Sequence, residues 1–188
     1  MFSSHFVIGG ARSGKSRFAI AQFTGRRRVV FVATARAGDD DMARRIRRHR
    51  SERPSQWETV EAPDDLVTTL TDVARRADGV IVDCVTFWVA NGMFRRDSDE
   101  AILARAAALT ETIAARTCDV VLVSNEVGEG VHPETADGLR FRDLLGLVNQ
   151  NIAAACDRVT LMVAGLPLTI KAPAPAPAPR VDVAHQAP

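Results

Sequence analysis

The amino-acid sequence predicts an α/β fold in which helices cover both faces of a largely parallel sheet. Short apolar runs rich in β-branched residues, typical of buried strands, alternate along the chain with longer segments of helical periodicity. Each apolar run is followed within two residues by Gly, Thr, Asp or Asn, which marks where the strand ends. Strands that alternate with helices are joined by right-handed crossovers, and these connections place neighbouring strands parallel.

The same patterns give the order of the elements. The predicted strands cover residues 6–8, 29–33, 80–82, 120–123 and 159–163. The predicted helices cover residues 15–23, 40–50, 64–76, 99–116 and 141–157. A chain of 188 residues that is 46% hydrophobic can bury one sizeable core, so we expect a single domain over residues 1–171. Residues 172–188 alternate Ala and Pro, which predicts a disordered tail in which His185 is incidental.

Composition and charge exclude several classes of function. The net charge of +1 provides no general attraction to nucleic acid or to anionic membranes. Three widely spaced cysteines make neither a disulfide framework nor a metal cluster, so we expect reduced, buried thiols. The first residues lack the pattern of a signal peptide, and the apolar runs are too short to span a bilayer. These features predict a cytoplasmic protein without a membrane span.

The segment GGARSGKS fits the phosphate-loop pattern G-x-x-x-x-G-K-[ST], and it follows a predicted strand and opens a predicted helix. Small residues let successive backbone N–H groups point inward, where they can hold a polyphosphate. Lys15, one of two lysines against 22 arginines, supplies a compact charge for the β- and γ-phosphates that a planar guanidinium cannot bring into this loop. The Ser16 hydroxyl is placed to bind Mg²⁺. The predicted phosphate-binding residues are Gly9, Gly10, Ala11, Arg12, Ser13, Gly14, Lys15 and Ser16.

Asp83 directly follows the predicted strand at residues 80–82 and is the second candidate metal ligand. In phosphate-transferring proteins a carboxylate at the end of a neighbouring strand typically completes the Mg²⁺ site. The alternative is that Asp83 only caps the following helix.

An arginine-rich segment follows the second predicted strand. Residues 36–54 contain seven arginines, an acidic triplet and His49. The acids lie near the start of the predicted helix and the arginines toward its end, as the helix dipole favours, so one interpretation is a solvated, well-capped helix. The helix also begins near the carboxyl end of a strand, in the same crevice as the phosphate loop. Arginines there could bind phosphates, and because positive neighbours favour a neutral imidazole, His49 could attack phosphorus.

Several segments together resemble one family, the bifunctional adenosylcobinamide kinases / adenosylcobinamide-phosphate guanylyltransferases of cobalamin biosynthesis. These segments are GGARSGKS, VATA, DDDMARRIRRHRSERPSQWETVE, DCVTFWVAN and VSNEVGEGVHPETADGLRFRDLLGLVNQNIAAACDRVTLMVAGLPLTIK. The resemblance covers residues 6–171. It is specific, because the H-R-x-x-R-P-x-x-W segment and the block from SNEVG to NQ are not shared by P-loop kinases in general.

The resemblance implies a P-loop NTPase (RecA-like) fold and two reactions. Members phosphorylate the aminopropanol hydroxyl of adenosylcobinamide with ATP or GTP. They then transfer GMP from GTP to the new phosphate through a guanylyl-histidine, which gives adenosylcobinamide-GDP. The resemblance also implies Mg²⁺ and a homo-oligomer, a trimer, with the active site near a subunit boundary.

By position, the resemblance makes His49 the nucleophile. Relatives often carry two adjacent histidines here, whereas this chain has Arg48 before His49. The resemblance also implies a guanine nucleotide site lined by Thr34, Ala35, Arg36, Arg50, Ser51, Glu52, Arg53, Glu61 and Asp83.

Further predictions concern two polar residues after a strand and three aromatic residues. Asn125 and Glu126 follow a strand at the crevice, and we expect them to contact the corrinoid or the nucleotide rather than serve only as a strand-to-helix connection. For Trp57, Phe87 and Trp88, which lie in apolar surroundings, packing is expected rather than stacking on a base.

Two other classes of function remain as alternatives. The first is a small P-loop kinase of another alcohol, in which His49 only helps to enclose phosphates. The second is a GTP-gated binding protein, although the sequence lacks the N-K-x-D motif usual in such proteins. Nucleic-acid binding by the arginine-rich helix is disfavoured because the chain as a whole is not basic.

Overall fold

A computed structural model describes residues 2–38, 40–51 and 53–173. The described residues form seven strands and six helices. The strands are β1 Ser4–Gly9, β2 Val29–Ala33, β3 Glu58–Glu61, β4 Gly79–Asp83, β5 Asp119–Asn125, β6 Arg158–Val163 and β7 Leu166–Lys171. The helices are α1 Lys15–Ala21, α2 Asp40–Ser51, α3 Leu66–Ala74, α4 Val85–Phe94, α5 Asp99–Ala114 and α6 Ala136–Ala155. The predicted site residue Glu52 and the predicted tail from residue 174 onward lie outside the described residues.

The strands form one sheet in the order β3-β2-β4-β5-β1-β6-β7. Every neighbouring pair is parallel except β6 and β7, which form an antiparallel hairpin at one edge. The predicted largely parallel sheet is therefore confirmed. Because parallel strands all end at the same edge, the segments that follow β1, β2, β4 and β5 meet there.

Alternating side chains divide the core into two clusters, one on each face of the sheet. Along β4 and β5, Val82 and Leu122 join the larger cluster, which packs against helices α3, α4, α5 and α6. Ile81 and Val123 join the smaller cluster on the side of α1. Side chains two residues apart along a strand therefore lie on the same face of the sheet.

Three elements were missing from the sequence prediction, each for a physical reason. The strand β3 lies at the edge of the sheet, and its sequence ETVE is polar, with both glutamates exposed and the two middle residues half-buried. The strand β7 is the opposite edge and is almost entirely exposed. Helix α4 is buried on most sides, so its sequence VTFWVANGMF lacks the polar face that marks a helix.

The cysteine prediction is confirmed. Cys84, Cys118 and Cys156 are free and buried. Burial raises the pKa of Cys84 and of Cys156 to about 12 and that of Cys118 to about 11, so the thiols are protonated at neutral pH. No helix in the described ranges is long and apolar enough to cross a membrane.

Candidate active site

The phosphate-loop segment connects β1 to α1, and its shape is fixed by close contacts. Gly9 has φ +153°, and a Cβ added there would lie 2.5 Å from the Met162 carbonyl oxygen. Only glycine is compatible with both the backbone angle and the space. The Ser13 carbonyl accepts a hydrogen bond from Gly165 N at 3.0 Å, and the Gly9 carbonyl accepts one from Glu126 N at 3.0 Å. The segments after β5 and β6 therefore hold the loop from both sides.

The Lys15 ammonium lies inside this loop. Its Nζ donates hydrogen bonds to the Gly9 carbonyl at 2.8 Å and to the Gly10 carbonyl at 2.6 Å, and the residue is 7% exposed. Burial lowers the pKa of Lys15, while the nearby Cys84 and Asp83 side chains raise it. A buried cation is stabilised by an anion, so the loop is suited to receive phosphate.

The ends of β2 and β4 are joined through Thr34. This residue is fully buried, its Oγ1 donates to the Cys84 carbonyl at 2.6 Å, and the same oxygen accepts from Cys84 N at 2.9 Å. The Asn91 carboxamide donates to the Thr34 carbonyl at 2.9 Å and to the Pro63 carbonyl at 2.8 Å. The Thr34 hydroxyl thus fixes the place where Asp83 ends β4 and does not line the adjoining cavity.

That cavity, of about 440 Å³, opens at the carboxyl ends of β2, β3 and β4. Its size is typical of small-molecule sites. The structure brings together here six residues predicted from sequence: Ala35, Arg36, His49, Arg53, Glu61 and Asp83. The cavity is completed by Ala33, Ala37, Met42, Ile46, Pro63 and Phe87.

Helix α2 presents one face to the cavity and the other to solvent. Met42, Ile46 and His49 recur at intervals of four and three residues and line the cavity. Arg48 and Arg50 are exposed. The interpretation of α2 as a solvated helix therefore holds for its outer face, whereas His49 belongs to the inner face. Ser51, also exposed, donates from Oγ to the Arg48 carbonyl at 2.8 Å near the end of α2.

Sequence reasoning missed the apolar part of the cavity wall. Met42 and Ile46 share the helical spacing of His49, and that spacing was the available signal. Phe87 was expected to pack, and it does contact the cluster on the α1 side, but it also lines the cavity. Trp57 and Trp88 are buried, as expected.

Two arginines of the cavity wall are held in place by neighbouring groups. Arg36 forms an ion pair with Asp64, which also pairs with Arg95. The Arg53 guanidinium lies 3.5 Å above the centre of the Phe31 ring, and its Nη1 donates to Thr59 Oγ1 at 3.3 Å. Such fixed positive groups need little rearrangement when an anionic ligand binds.

The predicted Mg²⁺ ligands are compatible with that ion in chemical type. Ser16 follows Lys15 directly and supplies a hydroxyl, and Asp83 supplies a half-buried carboxylate near the Lys15 ammonium. Both are hard oxygen donors, and Mg²⁺ is commonly held by one or two protein oxygens together with phosphate oxygens.

A glycine-rich loop with a buried lysine, at the carboxyl edge of a parallel sheet, defines a P-loop nucleotide-binding protein. Solved structures of this class share the fold. An ATPase from the type III secretion system of pathogenic bacteria superposes with a TM-score of 0.52 at 11% identity, covering 85% of this chain and 50% of that one. The RadB recombinase superposes with a TM-score of 0.50 at 13% identity, covering 85% of this chain and 73% of that one.

The chain belongs to the cobinamide kinase / cobinamide phosphate guanyltransferase family, whose model matches residues 5–170. It is 42% identical to the bifunctional adenosylcobalamin biosynthesis protein CobP of Pseudomonas aeruginosa, over 88% of this chain and 95% of the relative. It is 40% identical to the bifunctional adenosylcobalamin biosynthesis protein CobU of Salmonella typhimurium, over 88% of this chain and 98% of the relative.

Proposed function

We propose that this protein phosphorylates adenosylcobinamide with ATP or GTP and then transfers GMP from GTP to adenosylcobinamide phosphate, with His49 as the guanylylated residue. The observation that carries the proposal is the position of His49, in one cavity with Asp83, Arg36 and Arg53. Membership of the family supports both reactions.

In the first reaction the hydroxyl oxygen of adenosylcobinamide attacks the γ-phosphorus. A new P–O bond forms, the bond from the γ-phosphorus to the bridging oxygen breaks, and the nucleoside diphosphate leaves while the hydroxyl loses its proton. Displacement at phosphorus depends mainly on positioning and on stabilisation of charge. The loop amides and the Lys15 ammonium supply both. Ser16 and Asp83 would hold the Mg²⁺, which neutralises phosphate charge when bound.

In the second reaction a ring nitrogen of His49 attacks the α-phosphorus of GTP. A P–N bond forms and pyrophosphate leaves. A phosphate oxygen of adenosylcobinamide phosphate then attacks the same phosphorus, the P–N bond breaks, and adenosylcobinamide-GDP is released. Arg36 and Arg53, which line the cavity with His49, would stabilise the charge on the α-phosphate, and the apolar side chains of Met42, Ile46 and Phe87 would offer a surface for the planar base.

The proposal is tested by trapping the covalent intermediate. The protein is incubated with α-labelled GTP, denatured, and examined for protein-bound label that is lost in acid and retained in alkali. We expect stoichiometric label with these properties. Kinase activity without any such label would leave the alternative of a P-loop kinase in which His49 only helps to enclose phosphates.

Asp64 is expected to matter through Arg36. The Asp64→Asn variant loses the charge that pairs with Arg36 and Arg95, so the Arg36 guanidinium becomes less ordered at the cavity wall. A contact made equally to bound GTP and to the transition state affects KM more than kcat. We therefore expect the KM for GTP in guanylyl transfer to rise roughly tenfold with kcat within about threefold.

Steady-state kinetics at fixed adenosylcobinamide phosphate measure this effect. Asp72→Asn, which removes an exposed aspartate on α3, is the matched control. Equal KM values for Asp64→Asn and Asp72→Asn would contradict the expectation.

We also infer a homo-oligomer, for which the family resemblance suggests a trimer. The edge strand β7 supports association, because Leu166, Leu168 and Ile170 are each more than half exposed. Sedimentation analysis of the purified protein measures the number of subunits.

A further inference from the structure

Asn125 ends strand β5 between the phosphate loop and the candidate metal ligand. The strand lies between β4 and β1. Its register places Val123 beside Asp83 and Asn125 beside Gly9, the first residue of the loop. Asn125 therefore lies two residues beyond the level of Asp83 and directly beside the start of the loop.

The alternation of side chains along β5 places Asn125 on the face that carries the loop. Val121 and Val123 belong to the core cluster on the α1 side. Ser124 faces the opposite side, where its Oγ donates to Asn149 Oδ1 at 2.7 Å. Asn125 shares the face of Val121 and Val123, since side chains two residues apart lie on one face. Helix α1, which begins with Lys15, covers that face.

A buried polar network fixes the backbone of Asn125. Its N–H donates to Thr86 Oγ1 at 2.7 Å, and its carbonyl accepts from Asn149 Nδ2 at 3.0 Å. Thr86 is 6% exposed and Asn149 is 5% exposed. No group in the described part of the chain hydrogen-bonds to the half-buried Asn125 carboxamide. The fold thus fixes the backbone of Asn125 beside the loop and leaves the side-chain amide donor available, which is the arrangement expected of a ligand contact.

The position relative to the cavity indicates which phosphate this amide meets. The His49 cavity opens at the ends of β2, β3 and β4 and does not include Asn125. Asn125 lies on β5, beyond Asp83 from that cavity. If the α-phosphate lies near His49, a group on the other side of Asp83 meets the distal end of the triphosphate.

We propose that Asn125 Nδ2 donates a hydrogen bond to a γ-phosphate oxygen and thereby stabilises the transition state of phosphoryl transfer. The proposal rests on the proposed function and assigns a residue that serves the kinase reaction more than the guanylyl reaction. In phosphoryl transfer, charge is spread over the equatorial oxygens of the γ-phosphoryl group, so a fixed donor there lowers the barrier. In guanylyl transfer the reacting phosphorus is the α-phosphorus, and the γ-phosphate only leaves as part of pyrophosphate.

The first test compares the two activities in Asn125→Ala. We expect the kcat for phosphorylation of adenosylcobinamide to fall about 100-fold, with guanylylation of His49 at saturating GTP changed less than about threefold. Asn125→Asp keeps the side-chain shape and the backbone hydrogen bonds to Thr86 and Asn149, but it loses the Nδ2 donor. Its kinase activity should therefore fall at least as far. Asn151→Ala, an exposed asparagine on α6, is the matched control. Full kinase activity in Asn125→Asp, or equal loss of both activities in Asn125→Ala, would overturn the assignment.

The second test does not depend on the corrinoid substrate. The affinities for GTP and GDP are measured by calorimetry on His49→Ala, which cannot form the guanylyl-histidine, and on the double variant His49→Ala/Asn125→Ala. Because only GTP carries a γ-phosphate, we expect the double variant to lose at least about tenfold in affinity for GTP and to bind GDP unchanged. An unchanged ratio of the two affinities rules out the contact. If the wild type fails to phosphorylate adenosylcobinamide, the proposed function fails, and the ratio of affinities still decides the role of Asn125.

Discussion

Replacing His49 by alanine is expected to abolish transfer of GMP while transfer of phosphate to adenosylcobinamide continues. The imidazole lines the cavity at the ends of β2, β3 and β4, and no other histidine belongs to that cavity within the described residues. Without a ring nitrogen the P–N bond cannot form, so guanylyl transfer should drop by at least about 10⁴-fold. The kinase reaction depends on the loop and on Lys15, so its kcat should stay within about tenfold of wild type.

Two measurements on each variant check this expectation: protein-bound label from α-labelled GTP, and phosphate transferred from γ-labelled GTP to adenosylcobinamide. His185→Ala, at the histidine predicted to be incidental, should label like wild type. Equal loss of both activities in His49→Ala would show that His49 shapes the site without forming the covalent bond.

Replacing Lys15 by alanine is expected to impair both reactions, because both use a triphosphate held in the same loop. The buried ammonium is the positive charge at the centre of that loop. Loss of such a charge should lower kcat/KM for each reaction by about 10³-fold or more. Lys15→Arg should fail similarly, because two carbonyl oxygens lie within 2.8 Å of Nζ and leave little room for a planar guanidinium.

Thermal unfolding separates this loss of activity from misfolding. The pKa of Lys15 is lower in the folded protein than in the unfolded chain, so below that folded pKa the charged ammonium opposes folding. Lys15→Ala removes this unfavourable charge but also the hydrogen bonds to the Gly9 and Gly10 carbonyls, so the two effects oppose each other and the Tm should stay within about 5 °C of wild type. Lys171→Ala, at the chain's second lysine, is the matched control and should retain both activities. Near-wild-type turnover of Lys15→Ala in either reaction would contradict the role assigned to Lys15.

The parts of the fold that were predictable are those in which sequence pattern and burial coincide. The five central strands are apolar because both faces of a parallel sheet are covered, and helices α1, α2, α3, α5 and α6 contrast with them in period. An exposed edge strand and a fully buried helix lack this contrast between apolar and polar positions. The edge strand β3 is too polar to be distinguished from a loop, and α4 is too uniformly apolar to show a helical face.

In the candidate site, too, some residues were predictable from the local sequence and others depend on tertiary contacts. Lys15 and Ser16 were predicted because a short motif encodes a backbone shape. His49 was predicted from its arginine-rich surroundings and from the family resemblance, and Glu61 from the resemblance alone. The roles of Thr34 and Asn125 depend on tertiary hydrogen bonds to Cys84, Thr86 and Asn149, which lie far from them in sequence. The sequence predicted Asn125 at the crevice and Thr34 in the nucleotide site, and only the tertiary contacts show that the Thr34 hydroxyl is buried against Cys84 and does not line the cavity.

Because β1 pairs with β5 and β6, the phosphate loop that follows β1 cannot take its final shape as soon as it is synthesised. The phosphate loop is made before the strands that flank it, which begin at Asp119 and Arg158. A nascent chain can therefore shape this loop only after β5 and β6 have been synthesised. A chain that is terminated before β5 and β6 would contain the phosphate-loop motif but would not bind a nucleotide.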